Sequence, residues 1–255
     1  MNAAFLVASN TMREILRDRI LYGLILFAIG VVALSVFLGE LSLFEQSRII
    51  TDFGLVAAQL GCGTLAIFIG SSLVWREIEK QTILTLLSKP VSRSTFIIGK
   101  FLGLSCVILL VDVLVSLFLA FICSQYGQVF WTQFIISAFG VFAESLFLLS
   151  TAIFFGVFCR PVLTTLFTLS VWLVGHGVND LHYFSEKSKN VVLKNFGLGF
   201  SRIFPNLENF NFKEAVLYGD AITNQTLLNV SSLWLAWIAI LLVVSIWIFE
   251  KRDFT

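Results

Sequence analysis

Residues 101–123 read FLGLSCVILLVDVLVSLFLAFIC, and wound into a helix they leave no polar face for water. A helix that is apolar all round belongs in the core of a large protein or in a membrane, and about 20 apolar residues are needed to cross the hydrocarbon core. The same signature recurs at 20–38, 53–75, 131–158 and 230–249, and in a shorter, softer form at 162–178, which contains Thr164, Thr165, Thr168, Gly175 and Gly177. Trp75, Trp131 and Trp247 fall near the ends of these runs, where indole rings favour the headgroup layer. Over 255 residues the chain is 58% hydrophobic and 13% charged, against roughly 25% charged in soluble domains. Its mean hydropathy is +0.92. Such a chain has too little polar surface to cover a water-soluble core. The reading is an all-α membrane protein with six transmembrane helices in a single domain, 1–255, without internal repeats.

Basic residues orient the spans, because short cytoplasmic loops carry the excess of Lys and Arg. Arg13, Arg17 and Arg19, then Arg76, Lys80, Lys89, Arg93 and Lys100, then Arg160, then Lys251 and Arg252 all fall on one side. The two short loops on the other side contain only Arg48, and the long segment 179–229, with its five Lys or Arg, counts for little in this rule. Both termini are therefore expected in the cytoplasm of a bacterial cell, with the protein in its inner membrane. The first run is longer than the 7–15 apolar residues of a signal peptide and reads as a retained span. A net charge of +1 leaves no basic face for nucleic acid. Cys62, Cys106, Cys123 and Cys159 have no metal-like spacing and read as small buried hydrophobes rather than disulfide partners.

Two segments outside the spans carry a pattern. In 2–19, Phe5, Ala8, Met12, Ile15 and Leu16 share one helical face and Asn10, Arg13 and Arg17 the opposite one, as in an amphipathic helix lying in the membrane interface. In 76–100, REIEKQTILTLLSKPVSRSTFIIGK, charges of alternating sign lead into a helix with Ile83, Leu86 and Leu87 on one side, broken at Pro90. That apolar ridge on a cytoplasmic loop packs either on the protein's own inner ends or on a cytoplasmic partner.

The second segment is where the chain resembles a known family. Glu77-Ile78-Glu79-Lys80, Thr82, Leu86-Leu87, Lys89-Pro90-Val91-Ser92-Arg93 and Gly99-Lys100 are similar to the coupling segment of ABC-2 type permeases, the membrane subunits of ATP-driven exporters. The closest resemblance is to the branch that serves nitrous-oxide-reductase maturation and gliding motility. Phe204-Pro205-Asn206-Leu207 with Phe210-Asn211 in the long outer loop agrees; Gln81 departs, many relatives having Gly there. The resemblance implies a cytoplasmic coupling helix in 76–100, with Glu77, Glu79, Lys80, Thr82, Leu86 and Leu87 facing the ATPase. It also implies short re-entrant helices in 179–229 and a dimer with a second copy or a homologous permease. Two ATPase subunits would bind the ATP and Mg, and a periplasmic accessory protein is a further partner. The chain itself has no G-x-x-x-x-G-K-[ST] phosphate loop, so no cofactor is expected on it and it is not an enzyme by itself.

Asp112 and Glu144 are the acids deep inside predicted spans, where a charge costs about 2.5–3.5 kcal/mol on insertion scales. No Lys or Arg shares their depth. Each is expected either to bond a neighbouring helix, through partners such as Ser105, Ser116 or Ser145, or to line a polar pathway. His176, between Gly175 and Gly177, reads as a packing residue. An ion-gradient-driven secondary transporter using Asp112 and Glu144 is the alternative function, and the transported substrate is not written in any residue.

Overall fold

The computed structural model describes residues 3–41, 45–79, 92–127, 129–188 and 190–251; among them every regular element is helical. Helix α1 (Ala3–Leu16) is followed at once by α2 (Arg19–Glu40), whose N-terminus is capped by Asp18 accepting from the Ile20 N–H at 3.0 Å. Two long helices follow, α3 (Gln46–Glu79) and α4 (Arg93–Tyr126), each of 34 residues. Ser92 caps α4 through the Thr95 N–H. Then come α5 (Trp131–Gly156) and α6 (Pro161–His176), the latter with proline in its first turn, where a missing N–H costs nothing. Between α6 and the last helix lie α7 (Val178–Lys187), α8 (Val191–Ile203), a 3-10 turn (Leu207–Phe210) and α9 (Lys213–Tyr218). Helix α10 (Asn224–Lys251) closes the bundle.

Five of these helices are long and apolar enough to cross a membrane: α2, α3 over Gln46–Leu73, α4, α5 and α10. The pair α6 and α7, bent by 49°, makes a sixth if it is one broken span. Helix α3 is the axis, with Ile50, Cys62, Leu65, Ala66 and Ile67 fully enclosed by α2, α4, α5 and α6. Large apolar residues turned outward, such as Phe27 and Phe37 on α2, Leu117 and Phe121 on α4 and Val243 and Trp247 on α10, form the surface that lipid would cover.

Arg93, at the start of α4, donates to the carbonyls of Phe249 and Glu250 at 2.9 and 3.0 Å, and Phe96 stacks on Phe249 with ring centroids 6.0 Å apart. This fixes one end of the bundle, the basic end, where a cation also meets the negative pole of α10. Helix α1 lies at the same end against α4. A Cβ at Gly99 would come within 2.7 Å of the Val7 Cβ, and one at Gly103 within 2.8 Å of the Thr11 Cβ. Small residues four apart let two backbones meet in this way. Lys100 between them is buried, with its Nζ 3.6 Å from Glu14 Oε2.

Met12, Ile15 and Leu16 of the α1 face read from the sequence pack on the bundle, joined by Val7 and Thr11 at the glycines of α4, while Phe5 is 64% exposed. One expectation is corrected here. Among the cysteines only Cys62 and Cys123 are buried; Cys106 is exposed and Cys159 half-buried.

Candidate functional site: a buried carboxylate network

Glu144 sits mid-way along α5 and is 2% exposed. Its Oε1 accepts from Trp172 Nε1 at 2.6 Å and lies 2.9 Å from His176 Nε2; its Oε2 accepts from Gln59 Nε2 at 2.6 Å. An indole N–H can only donate, so the Trp172 bond has one direction. One side chain thus ties α5 to α3 and α6, which answers the cost of placing a charge at membrane depth.

Trp172 and His176 reach Glu144 together because they lie four residues apart on one face of α6. The Trp172 ring packs beside Gly63 of α3, and the His176 ring lies 3.4 Å from Gln59 Nε2. Since α3 runs on from Gln59 to Gln46, α6 stops about 20 Å short of the far end of α3 at 1.5 Å per residue.

The space above α6 is filled by the segment Asn206–Asn211. Asn206 Oδ1 accepts from the Glu208 N–H at 3.1 Å and so starts the 3-10 turn, while its amide donates to Asn179 Oδ1 at 2.6 Å. Leu207 is fully buried against Gly175, where a Cβ would lie 2.6 Å from the leucine Cδ1, and the Phe210 carbonyl rests directly on Gly140. Gly140 is about 14 Å along α5 from Trp131 at 1.5 Å per residue, so the turn dips well into the bundle. Helix α9 then climbs back, bringing Tyr218 under the Arg48 guanidinium at 4.9 Å and Gly219 within reach of Gln133.

Glu208 completes the network. Its Oε2 lies 3.1 Å from His176 Nδ1, and its Oε1 accepts from Asn211 Nδ2 at 2.5 Å. The bond from His176 holds the Glu208 carboxyl below its usual range, against the opposing effect of partial burial; Asn211 and the charges of His176 and Lys213 assist. A chain of bonds therefore runs from the bundle interior, through His176, to a half-exposed carboxylate in the loop.

Of the residues singled out in the sequence, Glu144 and His176 are brought together. Ser145 and Ser105 are not the expected partners: each bonds a carbonyl of its own helix, Val141 and Phe101. Asp112 is equally buried but on α4, where its Oδ1 lies 3.8 Å from Cys62 Sγ. Glu77 and Glu79 belong to the last turns of α3, whereas Lys80, Thr82, Leu86 and Leu87 lie outside the described residues. Sequence reasoning missed Gln59, Trp172 and Glu208. A sign existed for each: Gln59 is an amide inside an apolar run, Trp172 precedes His176 by one helical turn, and Glu208 sits inside the quoted loop motif. No group of three or more metal-ligating side chains converges among the described residues. A separate cavity of about 440 Å³ opens between Glu45, Arg48, Tyr126 and Phe130, and Glu144 does not line it.

No curated protein matches the chain as a relative. The sequence model that describes an ABC-2 family transporter protein matches residues 5–254, which is nearly the whole of this helical, multi-pass membrane chain. The chain belongs to the ABC-2 transporter family.

Proposed function

We propose that this chain is the permease subunit of an ATP-driven exporter in a bacterial inner membrane, with its basic end in the cytoplasm. Two copies, or one copy and a homologous permease, would form the translocation pathway and dock two ATPase subunits that bind ATP and Mg. The branch serving nitrous-oxide-reductase maturation and gliding motility is the closest proposed kinship, and a periplasmic accessory protein suits that branch.

The observation that carries the reading is the reach of α3 at the basic end. Ala28 of α2 packs on Gly61 of α3 and Gly39 on Ile50, so the two helices run antiparallel in fixed register. By that register α3 continues about 14 Å past the start of α2 at 1.5 Å per residue, ending at Glu79. Helix α4 starts beside it at Arg93. Residues 80–91 link the two, and a soluble partner is proposed to meet them on that basic side. In this reading Glu77, Glu79, Lys80 and Thr82 steer docking, and Leu86 and Leu87 seat in a groove of the ATPase. Asp112 and Glu144 are the acids proposed for a pathway or interhelix role, and both are buried within the chain's own bundle.

Leu86→Asp tests the docking. A charge forced into a buried contact costs several kcal/mol, or roughly a hundredfold to a thousandfold in affinity at about 1.4 kcal/mol per tenfold. The expected result is loss of the copurifying ATPase from a permease that stays monodisperse. Glu79→Lys should do less, because a rim charge acts mainly on association rate and salt dependence. A monodisperse Leu86→Asp permease with its full complement of ATPase would refute the coupling assignment.

A further inference from the structure

We propose that Glu144, His176 and Glu208 form a proton-held latch that keeps the turn Asn206–Asn211 seated in the far end of the bundle, and that losing the shared proton releases it. His176 and Glu208 are positioning residues in this device. That the released turn uncovers the end of a translocation pathway rests on the permease reading; the latch itself does not.

The argument is a count of donors. The His176 ring stands between two carboxylates, with Nε2 2.9 Å from Glu144 and Nδ1 3.1 Å from Glu208. Whether Nε2 or the carboxyl carries it, the Glu144 contact takes one hydrogen. One further proton must then lie between Nδ1 and Glu208 Oε2, on either atom. Remove it and a nitrogen lone pair faces a carboxylate, which turns the contact from attraction to repulsion.

The surroundings do not supply a substitute. From α3 the ring meets Gln59, which is uncharged, with Cys62 one turn further along; Asp112 of α4 lies beyond Cys62. Lys213 of α9 acts on Glu208 and favours its ionised form. Asp180 and His182 of α7 are exposed.

Three features make this contact releasable. The His176 and Glu208 side chains are 29% and 37% exposed, so the shared proton can exchange with water at the far end. His176 is the last residue of α6, beside the 49° bend into α7. The seated element is a single 3-10 turn of four residues, held otherwise by Leu207 against Gly175, the Phe210 carbonyl against Gly140, the buried Phe210 ring and the Asn206 amide bonded to Asn179.

The experiment reads burial of Leu207, which is fully enclosed when the turn is seated. In a cysteine-free permease in membrane vesicles, Leu207→Cys is labelled by a membrane-impermeant maleimide. Asn209→Cys, exposed in the same turn, corrects for the pH dependence of the thiol itself. The Leu207/Asn209 rate ratio should be low at pH 7 and rise on alkalinisation by roughly tenfold, the equivalent of about 1.4 kcal/mol. It should also rise in strong acid. Glu208, held below its ordinary value of 4.5, contributes its bond above that value and loses it as pH falls through the lowered one. Glu208→Leu, which can neither donate nor accept, should give a high ratio with no pH dependence, whereas Glu208→Gln, whose amide bonds the ring in either tautomer, and His176→Gln should each remove the pH dependence. Glu208→Leu, outside the spans, remains informative if His176→Gln fails to insert. A ratio that is flat with pH in the parent and unchanged by Glu208→Leu would overturn the latch. No ATPase is present in these vesicles, so this result and the Leu86→Asp result can fail independently.

Discussion

Trp172 shows how one side chain serves packing and electrostatics together. Its ring fills the space left by Gly63, and its N–H supplies one of the three bonds that hold Glu144. Trp172→Phe keeps much of the ring and removes the donor. A hydrogen bond to a charged group contributes about 1.5–3 kcal/mol, and that loss is expected in unfolding midpoints measured in detergent. The coupling to Glu144 is testable by a double-mutant cycle: in a Glu144→Gln background the same substitution should cost less, because the charge is gone. Equal costs in both backgrounds would mean that Trp172 acts through packing alone. At this scale the sequence was half legible. Glu144 stands out as an acid in an apolar helix, but its partners come from positions 59, 172 and 176, which no local spacing connects to 144. Periodicity reports which face a residue occupies on its own helix and is silent about which helix will lie opposite.

Helix α1 was legible as an element, and Met12, Ile15 and Leu16 of its apolar face pack on the bundle. Its apolar residues at spacings of three and four mark a helix, yet which of them are buried is decided by α4, whose Gly99 and Gly103 admit Val7, Ala8 and Thr11 at backbone distance. The helix is therefore docked on the bundle, with Phe5 left on the outer side. Gly103→Leu should push α1 away, since overpacking a close contact costs about 1–3 kcal/mol. The measurement is the rate of tryptic cleavage at Arg13 and Arg17 in vesicles that expose the basic end: faster in Gly103→Leu, unchanged in Gly30→Leu, where a Cβ meets nothing within 4 Å. If both variants are cut like the parent, the glycine seam does not hold α1.

Across the whole molecule, hydropathy foresaw the helices because lipid imposes one requirement on every span, a closed backbone in an apolar coat. It could not foresee that the far end is completed by a turn rather than by helix, since Asn206–Asn211 is polar and owes its depth to sockets on α5 and α6. The shortness of α6, described above as geometry, also bears on how the chain is made. A translocon judges each segment alone, and 16 residues containing Thr164, Thr165, Thr168 and His176 fall below the 17–25 that commit to a bilayer unaided. Helix α6 must then wait for company: its histidine becomes tolerable once Glu144 is beside it, and its missing upper turns are replaced only after residues 206–211 have been synthesised. A cysteine at Glu186 in the full chain should be labelled from the side opposite a cysteine at Ser92; labelling from the same side would remove the even-span plan. In a chain ended at Ser188, the Glu186 label should distribute between both sides, because biogenesis has been stopped before the segment that completes the sixth crossing has left the ribosome.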